Sequence, residues 1–345
     1  MSTLPTSPQA TSDIRLSLLQ TWLTSLTQFD LHLSSLRPAS KDASFRRYFR
    51  LDLADGGSVI VMDAAPPQEN VEKFVKLAQL FSHCDLSIPQ VLAQNLEQGF
   101  LLLEDFGDTT YLHQLNADSA FQLYMDAIGS LLRLQVHSRP EVLPEYDRAF
   151  MLKEMQLFPE WYIGKHLNFS LSEKQAQELQ QVFDTILANC MAQPQVYVHR
   201  DFHSRNLMVL QSGNPGILDF QDALFGPITY DLASLLRDAY VQWDEEMVLD
   251  WVIRYWEGAK RAHLPVNTNI DAFYRDFEMM ALQRHLKILG IFCRLHYRDG
   301  KDHYLPDLPL VLEYVRKTAA RYSELTPLLR ILEPIENQTV QEADS

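Results

Sequence analysis

His199, Arg200 and Asp201 are followed five residues after the aspartate by Asn206, and thirteen residues later by Asp219 at the end of an apolar run. These residue types suit one kind of chemistry. Phosphoryl transfer from a magnesium-bound nucleoside triphosphate needs an oxygen ligand on a hard cation, a second to fix its orientation, and a carboxylate to receive the acceptor's proton. In that scheme Asn206 and Asp219 hold the metal and Asp201 is the base.

The stretch "VYVHRDFHSRNLMVL" at 196–210 sets these groups between two apolar runs that read as strand ends, and "GILDF" at 216–220 repeats the pattern. They interrupt a region that is otherwise helical, with apolar repeats at 121–136, 151–166, 173–191, 247–256 and 277–297. Ser170 and Glu173 are spaced as a capping box before the third of these. The preceding hundred residues have a different texture. A Ser-, Thr- and Pro-rich lead of a dozen residues, expected to lack regular structure, gives way to a helical face of Leu16, Leu19, Leu23 and Leu26. "RRYFRLDL" and "SVIVMDA" then read as strands joined by the "ADGG" turn, a helix runs from about Glu69, and "PQVLAQN" and "GFLLLED" add two more strands.

The 345 residues are enough for two domains, and 46% hydrophobic with 22% charged residues describes a globular chain. A net charge of −15 argues against a general nucleic-acid binder, and no apolar run is long enough for a membrane span. The start has no signal-peptide pattern, so a cytoplasmic monomer is expected. Cys84, Cys190 and Cys293 are too far apart for a C-x-x-C site, and the eleven histidines form no zinc set.

"HRDFHSRN" followed by "LDFQD" matches the order H-R-D, N, D of the protein-kinase signature. With His203 two residues after Asp201, and Asp231 in "GPITYDLASLLRD", the chain resembles the aminoglycoside phosphotransferase and choline kinase branch of the protein-kinase-like fold. The resemblance covers about residues 40 to 325. It implies an α+β, two-lobed fold: a strand-rich N-lobe at 1–103, a hinge at 104–108, and a mainly helical C-lobe at 104–345. ATP and Mg²⁺ are the implied cofactors, with Asp231 bracing the active-site loops. "SFRRYFRL", "VIVMDAAP", the catalytic segments and "QRHLKILGIFCRLHYRDGK" further resemble the anomeric sugar kinases of peptidoglycan recycling. Those enzymes phosphorylate the C1 hydroxyl of N-acetylmuramate and N-acetylglucosamine, giving sugar 1-phosphates for UDP-sugar synthesis. An aminoglycoside or amino-alcohol kinase, and a nucleotide-binding module without transfer activity, stand as alternatives.

One departure is visible. Met62 occupies the strand position where the wider family has a phosphate-binding lysine; either Arg46 or Arg47 replaces it, or the phosphates are held chiefly by Mg²⁺ and backbone N–H groups. Ser44 and Phe45 belong to the same nucleotide-covering turn, and Glu104, Asp105 and Phe106 are candidates for adenine contacts through the hinge backbone. For the amino sugar the candidates are Glu160 and the Trp161 platform, His203, Arg237, Asp238 and Arg284; a muramate carboxylate calls for an arginine, which singles out Arg237 and Arg284. A loop-bracing role is the other reading of His203.

Overall fold

The computed structural model describes residues 8–39, 46–67 and 70–333. Two compact units divide the chain: Met1–His83 with Ser87–Asp108, and Cys84–Leu86 with Thr109–Ser345.

In the first unit, α1 (Pro8–Ser25) lies on a five-stranded antiparallel sheet of order β1-β2-β3-β5-β4. Its strands are β1 (Arg37–Pro38), β2 (Arg46–Asp52), β3 (Ser58–Ala64), β4 (Val91–Asn95) and β5 (Phe100–Glu104). The helix begins at Pro8, so the expected irregular lead is helical over its last residues. Leu19, Trp22 and Leu23 of α1 form one core with Leu51, Val59, Val61, Phe100 and Leu102 of the sheet, and Trp22 stacks on Phe100 with centroids 5.6 Å apart. The β2–β3 turn is made by "DGG": Gly56 takes φ +92°, open to glycine at little cost, and the Gly57 N–H donates to Asp55 Oδ1. α2 (Val71–Ser82) starts from Asn70, whose side chain accepts from the Lys73 N–H; Glu69, the expected start, lies outside the described residues.

The second unit is mostly helical: α3 (Tyr111–Gln114), α4 (Ala120–Val136), α5 (Arg148–Met155), α6 (Glu173–Ala192), α7 (Tyr230–Leu236), α8 (Glu245–Arg261), α9 (Ile270–Asp299) and α10 (Leu308–Arg321). α9 packs against α5, α6, α7 and α10, and residues Phe277 to Leu282 are buried without a break, so it is buried nearly all round. Two expectations change here. The capping box before α6 is Ser172 with Gln175, two residues later than Ser170 with Glu173, because the chain stays non-helical through Ser172. The helix expected over 151–166 also changes pitch: α5 ends at Met155 and Phe158–His166 is a π-helix, closed by the Leu167 N–H donating to the Tyr162 carbonyl.

Two short antiparallel ladders carry the chemistry-bearing loops. β6 (Gln195–Val198) pairs with β9 (Leu224–Pro227), and β7 (Leu207–Met208) with β8 (Gly216–Ile217). Residues 199–206 therefore loop from one ladder to the other, and 218–223 loop back.

Gly290 marks where α9 meets the approach to the π-helix. A Cβ there would lie 2.3 Å from the Leu157 carbonyl carbon, a contact with backbone that no rotamer change relieves. Gly290→Ala should destabilise the protein by about 1–3 kcal/mol despite the higher helix propensity of alanine. Denaturant unfolding of the variant checks this, and a net gain in stability would contradict the packing described.

Candidate active site

The catalytic loop is fixed from below by Asp231, fully buried in the first turn of α7. Its Oδ2 accepts the His199 N–H at 2.6 Å and its Oδ1 the Arg200 N–H at 2.9 Å. This double grip holds Arg200 at φ +80°, a conformation unfavourable for a non-glycine residue. Burial pushes the Asp231 carboxyl up to about 7, although both N–H groups and Arg284 favour its charge.

His199 ties the two loops together. Its Nε2 donates to the Leu218 carbonyl at 2.9 Å and its Nδ1 accepts the Asp201 N–H at 3.2 Å, an arrangement that requires the neutral ring. Burial lowers its pKa to about 4, which keeps it neutral. The Leu218 N–H donates to the Asn206 carbonyl, so the residue before Asp219 is held on both sides by the catalytic loop.

Asp201, Asn206 and Asp219 are thus set by one hydrogen-bond network. The Asp201 carboxylate accepts no hydrogen bond from the described residues. Burial opposes its ionisation, but Lys287, His203, Arg284 and Arg200 outweigh burial and hold its pKa below the usual carboxylate range. Asn206 Nδ2 donates to the Asp201 carbonyl, which leaves its amide oxygen as an acceptor. Asp219 is exposed at φ +62° and accepts from Gln221 Nε2 at 2.5 Å. No group of three or more His, Cys, Asp or Glu side chains suited to a metal occurs among the described residues. Two oxygen donors fit Mg²⁺, which takes the rest of its shell from phosphate and water.

A second, buried layer involves residues that sequence reading did not single out. Glu154 of α5 bridges Arg200, Lys287 of α9 at 3.2 Å, and the Tyr146 hydroxyl. Lys287 also donates to the Tyr230 hydroxyl at 3.1 Å. The only sequence signal was three consecutive polar positions, Gln283 to His285, with Lys287 two residues on, inside the otherwise apolar stretch 279–293 of α9.

The expected sugar contacts separate. Arg284 is buried, donates to the Arg200 carbonyl at 2.8 Å and lies over the Tyr230 ring; Arg237 is buried and donates to Glu245 and Tyr274. Asp238 accepts the N–H groups of Ser204 and Tyr240. Each of the three is engaged in holding backbone or a neighbouring side chain. The His203 ring meets Tyr240 edge-on at 5.5 Å, with its Nδ1 buried and lacking a hydrogen-bond partner. Glu160 and Trp161 sit on the π-helix, Glu160 exposed and Trp161 half-buried.

The nucleotide candidates lie in the first unit, except that Ser44 and Phe45 fall outside the described residues. Register places Arg47 opposite Asp63, and Arg46 and Tyr48 opposite Ala64 and Met62. Opposed residues share a face, so the two arginines point to opposite faces of the sheet. Arg47 is bonded to buried Asp63, which also binds Arg15 of α1; Arg46 shares the face of Met62. In the 104–108 segment, the Glu104 N–H donates to the Gln90 carbonyl. Asp105 is anchored by Arg50 at 2.6 Å, by the Ser58 hydroxyl and by the Gly107 N–H; Phe106 is half-buried beside it.

The Asp231 grip gives a signed prediction. The rise from 3.8 to about 7 corresponds to about 4 kcal/mol. A carboxyl whose folded pKa is raised stabilises the fold below its free value, and that stability is lost as pH rises through about 7. Asp231→Asn cannot titrate, and its single carbonyl oxygen accepts only one of the two N–H groups. The variant's stability deficit should therefore shrink between pH 4 and 7 and level off above, while kcat at pH 8 falls at least about tenfold. Urea unfolding across that range and steady-state kinetics measure both; a deficit independent of pH contradicts the raised pKa.

Comparison with known proteins agrees with this geometry. A model of the phosphotransferase enzyme family matches residues 35–265. The N-acetylmuramate/N-acetylglucosamine kinase of Neisseria meningitidis serogroup B is 52% identical over 321 residues, covering 91% of this chain and 94% of that protein. The kinase of the same name from Pseudomonas putida is 44% identical over 324 residues, covering 92% and 95%. Among solved structures, a GDP complex of an aminoglycoside phosphotransferase superposes with a TM-score of 0.61 at 15% identity, covering 89% of this chain and 98% of that one. Choline kinase from Cryptosporidium parvum gives 0.60 at 12%, covering 92% and 99%. These two share the two-lobed protein-kinase-like fold. With the family model spanning both the sheet and the catalytic loops, and relatives matching nearly end to end, the chain belongs to the phosphotransferase enzyme family.

Proposed function

We propose that the protein is an ATP-dependent kinase that phosphorylates the C1 hydroxyl of N-acetylmuramate and N-acetylglucosamine. The observation that carries this is the state of Asp201: ionised, surrounded by cationic groups, and with a carboxylate that no described residue occupies. The substrate class rests on the shared name of relatives that are 44–52% identical across nine-tenths of the chain.

Asp201 orients the acceptor hydroxyl and takes its proton. The C1 oxygen forms its bond to the γ-phosphorus of ATP as the bond to the β–γ bridging oxygen breaks, giving a sugar 1-phosphate and ADP. A carboxylate with a depressed pKa is a weak base, and two circumstances make it sufficient. A hemiacetal hydroxyl is more acidic than an ordinary alcohol, and a loose phosphoryl-transfer transition state asks little of the nucleophile. Asn206 and Asp219 would hold Mg²⁺, which would supply positive charge to offset the negative charge of the phosphates. Arg46, on the face of Met62, is the candidate we retain for the role of the missing lysine. Lys287 and Arg284 stabilise the negative charge of Asp201 without leaving their own partners. Among the described residues no helix is long and apolar enough to cross a membrane, and a need for ATP supports a cytoplasmic setting for the reaction.

The test is incubation with Mg·ATP and each sugar, following ADP release and the phosphorus spectrum, with kanamycin in parallel. A sugar 1-phosphate is expected, and Asp201→Asn should lower kcat about 10²- to 10⁴-fold. Phosphorylation of kanamycin alone, or nucleotide binding with no transfer, sinks the proposal.

A further inference from the structure

The two proposed sugars differ in one group. N-acetylmuramate carries a lactyl ether, and so a carboxylate, where N-acetylglucosamine has a hydroxyl. A receptor for it must be a cation with N–H groups still to give and surface open to the ligand. Arg237 and Arg284 keep N–H groups but offer little surface to a ligand: they are 7% and 5% exposed, Arg237 is paired with Glu245 and Tyr274, and Arg284 is engaged with the Arg200 carbonyl.

Arg205 meets both requirements. It stands in the catalytic loop between the base and Asn206, and its side chain is 36% exposed. Its guanidinium carbon lies 3.6 Å from the centroid of the Tyr240 ring and 5.9 Å from that of Tyr304. This stacking fixes the plane of the fork and leaves its edges open. The side chain makes no hydrogen bond to any described residue. Its one ionic neighbour, Asp307, is at 3.8 Å, beyond hydrogen-bond reach, and Asp307 Oδ2 is buried without a hydrogen-bond partner. Tyr240 in turn meets His203 edge-on, and His203 is among the groups that hold down the pKa of Asp201. Histidine, tyrosine and arginine form one contiguous row, and the His203 backbone N–H donates to the Asp201 carbonyl.

We propose that Arg205 is the specificity-determining receptor for the lactyl carboxylate of N-acetylmuramate, binding it through the open edge of the guanidinium. The proposal rests on the sugar-kinase reading above. Asp307 gives Arg205 a loose counter-charge in the absence of an acidic sugar, and the substrate carboxylate replaces it with charge-assisted hydrogen bonds.

The experiment compares kcat/KM for both sugars in the wild type, Arg205→Gln and Asp307→Asn. Arg205→Gln should lose about 10- to 100-fold more on N-acetylmuramate than on N-acetylglucosamine. Asp307→Asn removes the competing carboxylate and should lower KM for N-acetylmuramate relative to that for N-acetylglucosamine, a gain that no structural role of Arg205 produces. If Arg205→Gln loses both sugars through misfolding, the ratio in Asp307→Asn decides. Wild-type turnover of both sugars with the ratio unchanged in the variants overturns the assignment alone. A wild type that phosphorylates neither sugar overturns the sugar-kinase reading and the assignment with it.

Discussion

Two adjacent backbone N–H groups, those of His199 and Arg200, point at the two oxygens of one buried carboxylate, and the active site is assembled around that contact. Asp231 on the Arg200 N–H, with Arg284 on its carbonyl, offsets the cost of the left-handed backbone there. The chain then turns sharply enough to present Asp201 while the histidine ring reaches back to Leu218. The anion is held in a site that resists charge, so the arrangement serving catalysis is held at a cost to the stability of the fold.

The charged residues around the loop divide by what they touch. Glu154 pairs with both Arg200 and Lys287 in the interior, so the trio keeps a net positive charge, and removing Glu154 would leave two cations there without that partner. They hold α5, the loop and α9 in one relation. Arg284 acts on backbone, capping the carbonyl of Arg200 at the turn that Asp231 grips from its N–H side. Asp238 makes the matching contact at the far end, on the N–H of Ser204. The loop is therefore held along its length by side chains from α7 and its C-terminal end, α5 and α9. Asp201, in the middle, keeps a carboxylate that accepts no hydrogen bond from the described residues.

The residues proposed to react, Asp201, Asn206 and Asp219, stand out in the sequence because the chemistry demands specific oxygen donors at loop spacings that chance does not often supply. The sheet was legible because alternation of apolar residues and the Asp-Gly-Gly turn are both local signals. Partners were not. Arg237 and Arg284 show in the sequence only as cations; that one is committed to Glu245 and the other to a carbonyl 84 positions away follows from tertiary folding. Glu154 and Lys287 are invisible as a pair for the same reason, since neither periodicity nor a motif joins α5 to α9. Ser170 and Ser172 both precede an acidic or amide residue at the right spacing, and only the backbone decides which caps α6. The change to π pitch after α5 carried no sequence signal at all.

That wide segment has a consequence for descent. Hydrogen bonds that reach five residues back hold one residue more per turn than an α-helix does. Phe158, Tyr162 and His166 stack in a column along it, with successive centroids 5.5 and 5.7 Å apart. Loss of a single residue from this stretch can be taken up by a return from five-back to four-back hydrogen bonding, which leaves the residues after it in place. Chains related to this one can therefore share the column and still differ in which residues face outward beside Trp161, so this surface can vary by insertion or deletion while the buried stack stays as it is.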